Sequence, residues 1–384
     1  MSGAAAEPAL HSNRPSDSKF KQQALPAWQP ILTAGTVLPT FFVIGLAFVP
    51  IGIGLMYFSN GVNEVIIEYT DCMSVETPTK MCAEVISDPQ EFVNGKPKSC
   101  KCELEISKEK IGEKDWAGPV FLYYGLTNFY QNHRRYVKSR DDKQLYGDIA
   151  REPSSDCAPF AEAKHSNGTM LGFYAPCGAI ANSLFNDTIK LQYKDSGSDK
   201  DIPLEKKGIA WQSDKEYKFK NPPVAEGQTL QQAFEAAGVV KPMDWQREVW
   251  ELDPTDDDNN GFLNEDLIVW MRTAALPNFR KLYRKITHAK LAGLPGLENG
   301  LPGNRAYHLS IDYNYPVKSF SGTKTVILST TSLLGGKNPF LGIAYIVVGS
   351  ICFVMGVIFL FIHLKFGRTT QEMMNIGSRS QYNS

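Results

Sequence analysis

The chain has 384 residues, a formal net charge of −1, 43% hydrophobic residues and 21% charged ones. A near-neutral chain with no basic stripe excludes nucleic-acid binding by charge: even Arg134, Arg135, Lys138 and Arg140 are answered at once by Asp141 and Asp142. Seven cysteines argue against a reducing compartment, and so do two N-x-[ST] sequons, Asn167-Gly168-Thr169 and Asn186-Asp187-Thr188.

Residues 1–30 are Ala-, Ser-, Pro- and Gln-rich with little apolar content and read as a disordered cytosolic tail, with Trp28 placed as an interfacial anchor. Ile31–Phe58 follows as an apolar run, and no charged side chain stands between Lys21 and Glu64. About 20 helical residues cross a hydrocarbon core, so this run spans it with residues to spare for tilt or for kinks at Pro39 and Pro50. The polar leader and the lack of a small-residue cleavage site mark it as an uncleaved signal anchor. Arg14, Lys19 and Lys21 precede it, whereas Glu64, Glu68 and Asp71 follow, which places the N-terminus in the cytosol.

Between Lys337 and Lys365 a second apolar run, Asn338–Leu364, gives a second span over residues 339–364, and residues 365–384 form a cytosolic C-terminal tail. Residues 59–338 therefore form one large domain on one side of the membrane. Six of the seven cysteines and both sequons lie in it, which makes that side lumenal or extracellular. Cys352, inside the second span, is read as a small apolar residue.

Within this domain Val65–Tyr69 is rich in β-formers, and Cys102–Ser107 alternates as a half-buried strand does. Tyr307–Tyr315 carries apolar or aromatic residues at period two, and Thr325–Ser329 is the next strand. Pro and Gly punctuate the rest, notably in Asn221-Pro222-Pro223 and Gly293–Gly303. The fold expected is a membrane protein with two transmembrane α-helices flanking a large, β-rich, antiparallel lumenal domain with minor helices. Helices are expected at Glu265–Ala275, behind an Asn264 cap, and at Asn278–His288, behind Pro277.

The cysteines fall into two groups. Cys157 and Cys177, isolated from the others, are expected to pair with each other. Cys72, Cys82, Cys100 and Cys102 form the second group. On a strand, Cys100 and Cys102 would point the same way about 7 Å apart, too far for an unstrained bridge, so the nested and the crossed pairings both stay open. Zinc is disfavoured, because the spacing matches no common ligand pattern.

Asp256, Asp258, Asn260 and Gly261 fit the early positions of an EF-hand loop, but the twelfth position, which needs a bidentate Glu, is Leu267. Glu265 and Asp266 come too early to replace it, so Asp256–Leu267 reads as an acidic turn. No H-E-x-x-H, G-x-S-x-G, Walker A or dinucleotide fingerprint occurs; Gly335-Gly336-Lys337 lacks the upstream glycine of a phosphate loop, and His133 reads as a surface residue. No catalytic residue, cofactor or metal ligand is assigned. Gly342, Gly349 and Gly356 recur every seven residues along one face of the second span, and Gly45 and Gly52 do so in the first. Such faces allow close helix packing, either between the two spans or against a larger membrane partner.

Five longer words carry a resemblance: Phe20–Gln23 with Leu25–Pro30, Asn128–Tyr136, Cys177–Ser183, Trp270–Pro277 and Gly336–Gly342. On them the chain resembles the cell division control protein 50 family, the ligand-effect-modulator proteins, whose animal members are also called transmembrane protein 30. The resemblance implies a non-catalytic β-subunit of type IV P-type ATPases, the flippases that move aminophospholipids to the cytosolic leaflet. As partner it implies that ATPase's α-subunit, whose exit from the endoplasmic reticulum towards Golgi, endosomes and plasma membrane it would support. It also implies nested bridges Cys72–Cys102 and Cys82–Cys100 beside Cys157–Cys177, and a glycan at Asn186. Asn167 lies in a more variable stretch, and a sequon common in relatives is missing where Ser310-Ile311-Asp312 stands. A free-standing receptor or adhesion protein with a disulfide-bonded ectodomain is the alternative class.

Overall fold

The computed structural model describes residues 16–26, 33–88, 92–93, 96–97, 99–195, 197–287, 291, 294, 297 and 300–367. Trp28, the first residues of the Ile31–Phe58 run and residues 368–384 of the C-terminal tail lie outside them. The chain divides into two units, residues 1–55 with 340–384, and residues 56–339.

The first unit holds most of α1 (Ala34–Asn60) and the C-terminal helix Phe340–Phe366, two apolar helices each 27 residues long and free of Asp and Glu. Each exceeds the roughly 20 residues needed to cross a bilayer. Pro39 and Pro50 are accommodated inside α1. The protein is a two-span membrane protein with a β-rich domain between its spans.

In that domain β1 (Glu64–Glu68), β2 (Cys100–Ile106), β3 (Val120–Leu126), β4 (Glu162–Lys164), β5 (Met170–Tyr174), β6 (Thr188–Asp195) and β7 (Ser198–Asp201) come first. They are followed by β8 (Val239–Val240), α2 (Glu265–Met271), β9 (Phe279–Ile286), β10 (Tyr307–Tyr313) and β11 (Lys324–Ser329), ahead of the C-terminal helix, α3. One sheet has the order β1-β11-β3-β9 and another β2-β10-β6-β7, both antiparallel. A third, β8-β5-β4, contains a single parallel pairing of two residues, Val239 and Val240 against Phe173 and Tyr174.

Register follows the apolar pattern, because a one-residue slip would turn every core side chain to solvent. Val65 and Ile67 face the core while Ile66 and Glu68 are exposed, and they pair with Leu328 and Val326 of β11. Leu309, Ile311 and Tyr313 of β10 are buried opposite Leu104, Cys102 and Cys100. Because β1 and β11 pair antiparallel, with Thr330 N donating to Asn63 O at 2.9 Å, the chain enters and leaves the domain side by side. An aromatic cluster sits in the core: Tyr124 stacks on Phe185 at 4.0 Å, and Phe129, Trp270 and Tyr315 close around them.

Two helix expectations are corrected. Residues 279–286 form strand β9, paired with β3, not the helix expected at Asn278–His288; His288 itself lies outside the described residues. Phe279, Leu282, Tyr283 and Ile286 mimic helical spacing because a bulge between Leu282 and Arg284 breaks the alternation, and because the core-facing position between them holds a charged residue, Lys281. The helix expected at Glu265–Ala275 ends at Met271. Its Asn264 cap is real, with Oδ1 accepting from Leu267 N at 3.1 Å. Its end is set from elsewhere: Lys281 Nζ donates to the carbonyls of Val269, Trp270 and Arg272 at 2.9, 2.7 and 2.6 Å.

Burial, with the Arg272 charge adding to it, pushes Lys281 down to about 7. An unfolded lysine titrates near 10.4, so between those values the unfolded chain binds the extra proton and stability rises with pH. From about pH 7 to about pH 9 this group should raise domain stability by at most about 1.4 kcal/mol per unit. Lys281→Met should flatten that slope in urea unfolding of the full chain; an identical slope in both proteins would show that Lys281 titrates normally.

Candidate functional site

Three of the sequence words, far apart in the chain, converge in the core. Trp270 Nε1 donates to Ile180 O at 2.7 Å, Ala274 N to Gln131 Oε1 at 2.9 Å, and Asn132 Nδ2 to Ala275 O at 2.9 Å. The Tyr136 and Ser183 hydroxyls bond at 2.8 Å, and Phe129 meets both Tyr136 and Trp270 at 5.8 Å between ring centroids. Gly178 is held at φ +98° hard against the Ser139 carbonyl, where a Cβ would collide. These words encode packing of the domain, not a reactive centre.

Beside them lies a buried ionic centre. Lys324 Nζ donates to Asp187 Oδ2 at 2.6 Å, both side chains being 0% exposed, and to Tyr315 O at 2.8 Å. Asp187 Oδ2 also accepts from the Tyr69 hydroxyl at 2.8 Å, and its Oδ1 accepts from Asn314 N and Tyr315 N at 2.6 and 2.7 Å. The ammonium lies 3.0 Å from the Tyr313 ring centroid, and the Tyr313 hydroxyl donates to Thr70 O. Burial pulls Lys324 down to about 8, with Asp187 opposing that shift, so the lysine remains charged at neutral pH. Every polar atom here is paired, and the pairs tie residues 69–70 to residue 187 and to 313–324.

The disulfides are Cys72–Cys102, Cys82–Cys100 and Cys157–Cys177, with Cα separations of 6.1, 5.4 and 5.7 Å, and Cys352 is free. The sulfurs of Cys72, Cys82 and Cys102 lie within 4.8 Å of one another, the one such group of three potential metal ligands among the described residues. Engaged in disulfides, they offer no thiolates.

Several oxygens of the loop resembling an EF-hand are already engaged within the protein. Asp256 pairs with Lys207 at 2.5 Å, and Asn260 Oδ1 accepts from Asp253 N and Gly261 N. Glu265 accepts from Ile209 N, Ala210 N and Lys215, and Leu267 is packed in the core. Calorimetry on the full chain should therefore find no saturable calcium binding at micromolar concentration, where sensor loops bind at about 10⁻⁷–10⁻⁵ M. Micromolar binding lost on Asp256→Ala would overturn this.

The glycines bring α1 and α3 together, the packing between the two spans that their spacing allows. A Cβ on Gly45 would stand 3.1 Å from Gly349 O, one on Gly52 2.9 Å from Gly342 O, and one on Gly349 3.0 Å from Phe48 and Val49. Gly356 faces the Phe42 ring, and Phe41–Phe359 and Phe48–Tyr345 contacts flank the seam. Close backbone approach is what the missing side chains permit, and here the chain's own second helix uses it. The faces left outward are apolar, with Val43, Leu46, Ile53, Ile351 and Val354 exposed.

The sequons differ in setting. Asn167 stands in an exposed turn, its Oδ1 accepting from Thr169 N at 3.0 Å. Asn186 borders a cleft of about 470 Å³ and shares a tripeptide with the buried Asp187.

The model of the family described as "LEM3 (ligand-effect modulator 3) family / CDC50 family" matches residues 55–369. The chain is 51% identical to Cell cycle control protein 50A of Mus musculus over 363 residues, covering 93% of this chain and 91% of the mouse protein. It is 45% identical to Cell cycle control protein 50B of Homo sapiens over 360 residues, covering 92% and 95%. Over 355 residues it is 40% identical to ALA-interacting subunit 3 of Arabidopsis thaliana, covering 92% and 87%.

Proposed function

The chain belongs to the LEM3/CDC50 family, and from that premise we propose that it is a non-catalytic accessory subunit of a type IV P-type ATPase that flips phospholipids. The observation that carries the proposal is the family match over residues 55–369, which takes in the whole intervening domain and the second span. The Arabidopsis relative is itself named an interacting subunit. In this reading the subunit supports the folding of the ATPase, its exit from the endoplasmic reticulum and its movement of aminophospholipids to the cytosolic leaflet. The disulfides and sequons support a lumenal or extracellular position for residues 59–338, and the basic leader supports cytosolic termini.

The apolar helix faces opposite the glycine seam are free to meet lipid or the ATPase. A pull-down from native membranes in mild detergent should recover a multi-span ATPase in a stable complex. Deleting the chain, with no related subunit to compensate, should hold that ATPase in the endoplasmic reticulum and leave aminophospholipid on the outer leaflet. Normal exit and lipid asymmetry after deletion would refute the proposal.

A further inference from the structure

We propose that the cleft beside Asn186 houses the innermost sugars of an N-linked glycan carried by that residue, so that the glycan is part of the folded domain and not a free surface chain. This rests on the lumenal placement above and goes beyond it.

The linkage point is rigid. Asp187, the middle residue of the sequon, is locked to Lys324, Tyr69, Asn314 and Tyr315, while Thr188 opens strand β6 opposite Asp312. Asn314 Nδ2 donates to the Asn186 carbonyl at 3.2 Å, so the main chain at the attachment residue is fixed from both sides. A tripeptide held in this way is closed to a modifying enzyme, so the sugar must be attached before the domain folds. The fold must then form around a glycan whose first residue has a set position.

The attachment atom faces the cleft. Asn186 Nδ2 donates to Gln246 Oε1 at 2.9 Å, and both residues line the cleft. Asn186 Oδ1 is shielded from solvent and lacks a protein partner, one of the few such atoms among the described residues. Buried carbonyl oxygens are almost always paired, and a sugar hydroxyl or N-acetyl N–H in the cleft would supply the missing donor. The volume of about 470 Å³ falls in the range of small-molecule sites, about 300–1,000 Å³. Its walls suit a saccharide: Asp244, Asp266, Asp312 and Arg247 offer acceptors and donors for hydroxyls, and Trp245 an apolar plate. Asn167, exposed in its turn, has none of these neighbours and serves as the internal control.

The test uses the full chain from a glycosylating secretory host, purified in mild detergent and treated with peptide-N-glycosidase in heavy-oxygen water. Mass spectrometry then reads release at each site. Release at Asn186 should be about tenfold or more slower than at Asn167 in the native protein, since access needs local opening of the cleft, and the two should converge after denaturation. Arg247→Ala, at the exposed rim, should speed native release at Asn186 and leave Asn167 unchanged. Equal native rates at the two sites, or a glycan on Asn167 with none on Asn186, would overturn the inference and leave the lumenal reading standing. No glycan at either site would overturn both.

Discussion

Asp187→Ala should cost the domain about 3–5 kcal/mol, the penalty typical of breaking a buried ion pair from one side. The reason is the arrangement around Lys324. Its ammonium is wholly buried, and with Asp187 gone it keeps the Tyr315 carbonyl and the Tyr313 and Tyr69 rings as close partners, with no counter-charge. The Tyr69 hydroxyl and the Asn314 and Tyr315 amides lose their acceptor in the same step. Asp187→Asn should be milder, because the amide oxygen can still accept from the Asn314 and Tyr315 amides, although its NH2 replaces the oxygen that accepted from Lys324 and Tyr69. Neither change destroys the sequon, since the residue between Asn186 and Thr188 is free to vary apart from proline, so glycosylation stays constant across the series. Urea unfolding of the full chain in detergent gives the ranking. An Asp187→Ala midpoint indistinguishable from that of the parent would show that the centre is not a tie between the ends of the domain.

That centre also marks the limit of what a single sequence reveals. The strands Glu64–Glu68, Cys100–Ile106 and Tyr307–Tyr313 are legible because each has a wet face and a dry face, which writes period two into the residues. The two spans are legible because hydrocarbon tolerates no charge over a helix's length. Lys324 carries no such sign: at the head of a strand before the second span it looks like a flanking surface charge, and Asp187 looks like filler inside a sequon. Their partner choice is written only in three dimensions, across 137 residues of separation. Lys281 misleads for the same reason, since a cation on a core face erases the alternation that would have marked β9 as a strand. The nested disulfides follow from family resemblance, whereas strand geometry alone removed only the Cys100–Cys102 pairing. The glycine spacing signals close helix packing but names no partner, and in the structure the two glycine faces meet each other.

Gly52→Leu should separate the two spans and, with them, the proposed complex with the ATPase. A Cβ at Gly52 already falls 2.7 Å from Ile346 Cγ1 and 2.9 Å from the Gly342 carbonyl, so a leucine can be seated only by pushing backbone from backbone. Overpacking of this kind costs about 1–3 kcal/mol, and in lipid no hydrophobic gain offsets it. Gly54, two residues on, has open space where its Cβ would be, so Gly54→Leu adds the same volume to the same helix without touching the seam. Two readouts separate the steps. In a Cys352→Ser background, cysteines at Phe48 and Tyr345, whose rings lie 4.8 Å apart, should cross-link across the seam in the parent and in Gly54→Leu. They should fail to do so in Gly52→Leu. Recovery of the ATPase by pull-down should fall in step with the cross-link if assembly needs a preformed helix pair. Undiminished cross-linking in Gly52→Leu would refute the seam. Lost cross-linking with full recovery of the complex would show that the ATPase binds each span separately. A Gly54→Leu chain that cross-links normally but loses the ATPase would place the partner on the opposite, apolar face of α1.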